Sequence, residues 1–351
     1  MKLLIDKLSQ KSILSKEEWI FLLSNRDSET VAYACEKARE ISLQHYGNKV
    51  FARGLIEFSN FCKNNCFYCG IRAGNKKVVR YRLSKEEILA CCKTGKELGF
   101  KTFVLQSGED KFYTDKKLVE IIAAIKEQYP DIALTLSFGE RHYDSYFAFK
   151  EAGANRYLLR HETANHEHYS RLHPKNLSDT RRKQCLVDLK HIGFQTGTGF
   201  MVGSPFQTVE NLAEDMLFIA DFQPEMLGIG PFIPHKDTPF ADFPAGSVTL
   251  TLYLLAISRL LLPTVLLPAT TALGTLDPQG REKAVLAGAN VVMPNLSPSY
   301  VREQYMLYNN KIATGLEAAE GLKMLEESMA KIGYELVHER GDSVGFTSKQ
   351  R

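Results

Sequence analysis

Eight short apolar or β-branched runs recur in this chain: Phe51 to Phe58, Thr102 to Gln106, Ala133 to Ser137, Arg156 to Arg160, Gln195 to Val202, Met226 to Ile233, Thr264 to Thr270 and Ala289 to Pro294. A longer stretch of helical period follows each one. The interval from run to run is mostly roughly 25 to 40 residues, the length a parallel β-strand needs to cross back over a helix to its neighbour. Alternation of this kind also builds an open, doubly wound sheet. A count of eight favours closure into a complete (β/α)8 TIM barrel, and 351 residues are enough for one with short extensions. No glycine-rich phosphate loop of the dinucleotide or P-loop type follows any run, which removes the usual reason to prefer the open sheet.

Local signals support the alternation. Ser84 and Glu87 form a capping box at the head of one helix, and Thr208 precedes another over Val209 to Ala220. Gly99, Gly153, Gly193 and Gly288 each stand just before the next run, as helix stops do. Ahead of the barrel, Ser15 caps Lys16-Glu17-Glu18-Trp19-Ile20 and an amphipathic run extends from Ser28 through His45. The expected organisation is an N-terminal helical extension over 1–48, the barrel over 49–310, and a short C-terminal helix and tail over 311–351, with the helix near Gly315 to Lys331 and fraying from Gly341 onward.

The 44 basic and 41 acidic residues are spread without the long basic block of a phosphate-backbone binder, so nucleic acid is not an expected partner. Charges at Lys2, Asp6 and Lys7 interrupt what would be the apolar run of a signal peptide, and Ser258, Arg259 and Pro263 break the longest apolar stretches. The expectation is a cytoplasmic protein without membrane contact. Seven cysteines are too few and too uneven for a disulfide framework. Three of them share one eight-residue window.

That window follows the first run: Cys62-Lys63-Asn64-Asn65-Cys66-Phe67-Tyr68-Cys69. Three thiolates on one loop suit a 4Fe-4S cluster, which takes three protein sulfurs and leaves one iron open for chemistry. Zinc is the alternative, but it normally completes a tetrahedron with four protein ligands, and no fourth Cys or His lies near the loop. Cys35 and Cys185 read as small buried hydrophobes, while the adjacent Cys91 and Cys92 point in different directions from one helix. The other strand ends are polar too, carrying Gln106, Ser107, Glu140, Glu162, Thr270, Thr271 and Asn295 where a barrel places its active site. Glu162 is placed to pair with a cationic ligand group such as an amine, and Arg181 or Arg182 to hold a carboxylate bidentately. His161 is either a general acid or base or an orienting partner. The stretch from Lys76 to Arg82 is either a solvated face or a flap over the site.

The cysteine spacing, with Tyr68 before the last thiol, resembles the signature of radical S-adenosylmethionine (SAM) enzymes. Five strings narrow the likeness: Val104 to Asp110, Arg156 to Asn165, Gly228 to His235, Pro268 to Ala272 and Asn290 to Asn295 are similar to those of the HydE family of FeFe-hydrogenase maturases. The resemblance implies a barrel enzyme with one 4Fe-4S cluster on Cys62, Cys66 and Cys69. At the open iron the cluster binds SAM and cleaves it, with one electron, to a 5'-deoxyadenosyl radical. It implies Glu162 and Arg182 on the methionine moiety and Tyr68 on the adenine side. Gln106, Ser107, Thr135, Arg156, Met226, Thr270, Thr271, Met293 and Tyr305 would line the cavity. The implied substrate is a small organometallic or amino-acid-derived compound, a cysteine-bound Fe(CO)2(CN) unit in assembly of the H-cluster diiron site. Transient contacts with HydG and HydF and a reductant such as ferredoxin or flavodoxin go with it, as does oxygen sensitivity.

Many HydE proteins carry three late cysteines for an auxiliary cluster; here no cysteine follows Cys185, so one cluster is expected. Two other readings stand beside this one. A methylornithine synthase (PylB-like) mutase would share the barrel and the radical, and a non-catalytic zinc-binding barrel protein would use the same cysteines without chemistry.

Overall fold

The computed structural model describes residues 1–10, 12–312 and 318–346. Helices Lys2–Ser9, Lys16–Ser24 and Ser28–Tyr46 open the chain. Ser15 Oγ accepts from the Glu18 amide at 3.2 Å while the Glu18 carboxylate accepts from the Ser15 amide at 2.8 Å, so both ends of the capping box are made. Trp19, Leu22, Leu23, Ala34 and Ala38 join one hydrophobic core with the helices Val209–Phe222 and Val248–Leu261. The prefix therefore packs on the outer helical layer of the barrel.

The strands are β1 (Lys49–Ala52), β2 (Gly54–Ser59), β3 (Thr102–Ser107), β4 (Ala133–Ser137), β5 (Arg156–Leu158), β6 (Gln195–Thr198), β7 (Met201–Val202), β8 (Met226–Leu227), β9 (Gly230–Pro231), β10 (Val291–Val292) and β11 (Glu335–Val337). Parallel pairing runs in the order β2-β3-β4-β5-β6-β8, with β7-β9 a short continuation and β1 held between β10 and β11. Single parallel bridges join Met226 to Leu266, Pro268 to Val291 and Leu55 to Asn295. Amide bonds from Leu227 to Leu266 O (3.0 Å), Ala269 to Val291 O (2.8 Å) and Leu296 to Leu55 O (2.7 Å) carry the pairing round all eight runs. The parallel α/β architecture read from the sequence is the one observed.

Some runs are less regular than expected. The fifth and sixth are each broken in two, at Gly199 and at Gly228, because the backbones meet there: a Cβ on Gly199 would lie 2.1 Å from Gly228 O. The seventh, Thr264 to Thr270, holds its place through bridges alone, without a strand of its own. The four glycine stops are all left-handed, with φ of +88°, +106°, +90° and +96° at Gly99, Gly153, Gly193 and Gly288.

The C-terminal segment differs more. Its helix is Ala318–Lys331, and Gly315 lies outside the described residues. After it, β11 adds in parallel to β1, a strand the sequence reading lacked. Gly341 to Phe346 do not fray: Asp342 Oδ1 accepts from Arg156 Nη2 and Gln195 Nε2, each at 2.6 Å, and Ser343 Oγ donates to Thr264 O at 2.9 Å. Arg53 and Arg156 are buried at this end of the barrel, and a buried guanidinium needs a counter-charge, which Asp342 supplies. Residues 347–351 lie outside the described residues. Among the described residues no helix is long and apolar enough to cross a membrane.

Candidate active site

The cysteine loop leaves β2 at the C-terminal end of the barrel and is stitched by its own polar side chains. Asn60 Nδ2 donates to Val79 O and to Gln304 O, each at 2.8 Å. Arg80 reaches the carbonyls of Ile71 (2.8 Å), Arg72 (2.7 Å), Asn75 (3.1 Å) and Asn60. So Arg80, read as part of a solvated face or a flap, is instead a staple of the loop. Gly108, after β3, packs so closely that an added Cβ would sit 2.3 Å from Phe61 O and 2.8 Å from Cys62 Cβ.

Cys62, Cys66 and Cys69 are free and half-buried. Burial pushes all three thiols up, Cys69 to about 12, with Cys62 adding to the rise at Cys69 and both adding to it at Cys66. Without a cation the loop would thus hold neutral thiols, and only a metal centre would keep three thiolates together there. Among the described residues no three His, Cys, Asp or Glu side chains converge on a single metal-ion position. A zinc ion normally takes four protein ligands, whereas a 4Fe-4S cluster takes three thiolates, each on a different iron. The donor set fits the cluster better.

Glu162 occupies the end of the fourth run with φ +68°, a left-handed conformation uncommon for a side chain of this kind. Its amide donates to Gly199 O at 3.0 Å and its carbonyl accepts from Met201 N at 3.4 Å, so the break between β6 and β7 holds it. Its Oε2 lies 3.2 Å from Arg160 Nη2, and Arg182 Nε lies 2.9 Å from Glu140 Oε1, yet neither contact is aligned as a hydrogen bond. Four buried polar atoms thus keep unspent bonding capacity. The charges of Glu162 and Arg182 both act on Cys66 and on Tyr68, which places this unspent capacity beside the cysteine loop. Arg181 points elsewhere, donating to Arg141 O at 2.7 Å.

The Tyr68 hydroxyl lies 3.1 Å from His173 Nε2. His173 Nδ1 must donate to Tyr169 O at 2.9 Å, so Nε2 accepts and Tyr68 donates. Burial holds His173 at about 3, hence neutral. His161 is likewise held at about 3 by burial, which removes it as an acid or base near neutrality and leaves the orienting role. Nothing local in the sequence marks His173.

Deeper in the mouth, Tyr305 is hydrogen bonded to Gln106. Ser107 Oγ donates to Gly108 O at 2.7 Å. Thr271 and Met293 line a cavity of about 280 Å³ with Leu55, Asn295 and Lys311, and Thr270 caps the helix Thr271–Leu276. Thr135, Arg156 and Met226 sit toward the other end: among the described residues the buried Thr135 hydroxyl has no partner, and Met226 Sδ accepts from Arg53 Nη1 at 3.3 Å. Arg156, at the opposite end of its run from Glu162, is committed to Asp342 and to Arg340 O. Sequence reading also missed Glu57, whose carboxylate accepts from Lys311 at 2.6 Å and Asn295 at 2.8 Å inside the mouth. A lone charge within Gly-Leu-Ile-Glu-Phe-Ser was the available signal.

A barrel with three thiols on the loop after its first run, and an acid and a guanidinium beside them, defines a class. Residues 56–219 match the radical SAM superfamily, and the chain belongs to that superfamily. It is 48% identical over 275 residues to the FeFe hydrogenase maturase subunit HydE of Thermotoga maritima, covering 78% of each chain, and is a radical SAM enzyme of the HydE family. A 3-methylornithine synthase of Methanosarcina acetivorans is 31% identical with 82% of each chain covered. The crystal structure of methylornithine synthase PylB superposes with a TM-score of 0.84 at 27% identity, over 96% of this chain and 98% of that one.

Proposed function

We propose that Cys62, Cys66 and Cys69 hold one 4Fe-4S cluster, and that the enzyme acts as a HydE-type maturase on a small cysteine-bound Fe(CO)2(CN) precursor of the hydrogenase diiron site. When bound, the cluster and SAM together supply one-electron cleavage to a 5'-deoxyadenosyl radical. The observation that carries the reading is the unspent capacity of Glu162 and Arg182 next to the cysteine loop. In it, Arg182 binds the methionine carboxylate, Glu162 takes the amine, and Tyr68, oriented by His173, covers the adenine side. Gln106, Ser107, Thr270, Thr271, Met293 and Tyr305 shape the mouth, and Thr135, Arg156 and Met226 the interior. The Asp342 plug at the far end keeps water from the reacting atoms.

Partners on this reading are a one-electron reductant and, transiently, HydG and HydF. The 48% identity to a maturase, against 31% to a methylornithine synthase, favours the organometallic substrate. Two measurements test it. The EPR spectrum of anaerobically reconstituted, dithionite-reduced protein is expected to show a 4Fe-4S signal that changes shape on adding SAM; the lack of any such signal would return the cysteines to the zinc or structural reading, and a signal indifferent to SAM would remove the radical mechanism. Incubation of the reduced protein with lysine and SAM is expected to give no methylornithine, and any formed would replace the maturase reading with the mutase.

A further inference from the structure

One short segment, Glu162 to His173, runs from the acid of the site to the histidine that meets Tyr68. Between them stands the helix His166–Leu172, whose cap, Asn165, accepts from the His168 amide at 2.8 Å. The buried His168 fastens it further, with Nδ1 3.1 Å from Thr163 Oγ1 and Nε2 3.0 Å from Pro205 O. At its other end the Phe67 amide, between Cys66 and Tyr68, donates to Leu172 O at 3.0 Å. The helix is thus fixed both to Glu162 and to the cysteine loop.

Tyr169, on this helix, is only 1% exposed. Its ring stacks on His173, with centroids 3.9 Å apart and planes 21° from parallel, while Tyr68 meets the same His173 ring edge-on at 5.4 Å and 88°. The stack decides where the phenol oxygen ends: against Arg182, within reach of the charges of Glu140 and Cys66. Among the described residues that oxygen has no aligned hydrogen-bond partner, and neither have Arg182 Nε and Glu140 Oε1, which lie 2.9 Å from each other. A guanidinium has no acceptor to offer, so Arg182 leaves the Tyr169 proton unused. Burial raises the phenol above its ordinary range against the pull of Arg182, so the proton stays on the oxygen. A buried donor kept unspent costs stability, and beside a guanidinium it suits an anion held by both groups. A carboxylate offers roughly four lone-pair sites, enough for a guanidinium fork and a phenol together.

Resting on the SAM reading above, we infer that the Tyr169 hydroxyl donates to the methionine carboxylate of SAM alongside Arg182, and that the His173 ring stacked on it keeps this donor in register with Tyr68 on the adenine side. One aromatic pair then sets the distance between the two ends of the site.

The test uses the cluster-loaded chain and its Tyr169→Phe variant, which keeps the ring on His173 and removes only the oxygen. Equilibrium dissociation constants are measured for SAM and for decarboxylated SAM, which retains the amine and the adenosine but lacks the carboxylate. The variant is expected to bind SAM at least about 10-fold more weakly and decarboxylated SAM within about 2-fold of the wild type, with iron content unchanged. Unchanged SAM affinity overturns the inference, as does an equal loss for the two ligands or a loss of iron, either of which a purely structural tyrosine would give. Tyr169→Leu removes the ring as well and is expected to weaken both ligands, because Tyr68 loses its support through His173. Decarboxylated SAM bound as tightly by the leucine variant as by the wild type overturns the link to the adenine side. A wild-type chain that binds SAM no more tightly than decarboxylated SAM overturns the reading of Arg182 itself, and the inference with it.

Discussion

Asp215 Oδ1 lies 3.2 Å from His161 Nε2 and accepts from the Ala164 amide at 2.5 Å, so one buried carboxylate holds the His161 ring before Glu162 and the backbone after it. Thr198 completes the grip: its Oγ1 accepts from the His161 amide at 3.2 Å and pairs with Nδ1 at 2.8 Å. With His161 neutral, Nε2 carries the proton toward Asp215 and Nδ1 accepts from the threonine. Three side chains that never touch a ligand thereby fix the position of one that does.

Asp215→Ala is accordingly expected to weaken SAM binding about 10-fold, or about 1.4 kcal/mol, while leaving iron content unchanged. Equilibrium binding of SAM to the reconstituted protein measures it. A variant that loses thermal stability but keeps the wild-type dissociation constant would show Asp215 to be structural only.

The left-handed backbone of Glu162 separates two effects of its replacement. Both Glu162→Ala and Glu162→Gly remove the carboxylate and are expected to lose SAM binding alike. At φ +68° a Cβ is strained, so the glycine variant should be the more stable of the two, by about 1 kcal/mol. Paired denaturant titrations give the difference. An alanine variant as stable as the glycine variant would mean that the loop relaxes out of the left-handed region.

How much of this was legible depends on sequence distance. The eight runs and their glycine stops were readable because strand and helix periods are local, and so was the cysteine spacing. The Arg156–Asp342 pair spans 186 residues, and Gly-Asp-Ser near a C-terminus looks like any turn. Asp215 was hidden in a helix whose pattern, Val209 to Phe222, reads as ordinary amphipathic packing. His173 gave no signal before its ring was seen against Tyr68. The seventh run was recognisable by its β-branched and apolar residues but does not form a strand, because composition reports burial more directly than pairing.

Arg182 and Arg181 are adjacent in sequence and opposite in role. Arg182 is buried beside Glu140, where the surrounding acids and tyrosines outweigh burial and hold its cation well above the ordinary range; Arg181 is spent on a carbonyl at the rim. Arg182→Lys removes a planar fork that suits a carboxylate and is expected to weaken SAM binding at least about 10-fold, whereas Arg181→Lys should change it less than about 2-fold. Reversed effects in the same binding assay would reassign the carboxylate site.

Asp342 closes the far end of the barrel through a charge, which makes the closure pH-dependent. Burial alone would raise this carboxyl, but Arg156, Gln195 and Arg340 outweigh it and hold the group down at about 2. A folded value below the unfolded one, ~3.9, means that its contribution is fully present above about pH 4 and disappears as pH falls toward 2. Asp342→Asn leaves the Arg156 guanidinium buried without its counter-charge. The expected loss near neutrality is about 2 kcal/mol, less than the ~3–5 of a wholly buried pair because the Asp342 side chain is 37% exposed. Thermal midpoints of the two proteins should therefore be well separated at pH 6 and converge between about pH 4 and pH 2. A gap that stays constant across that window would show that the tail is held by packing alone, and that Asp342 is incidental to it.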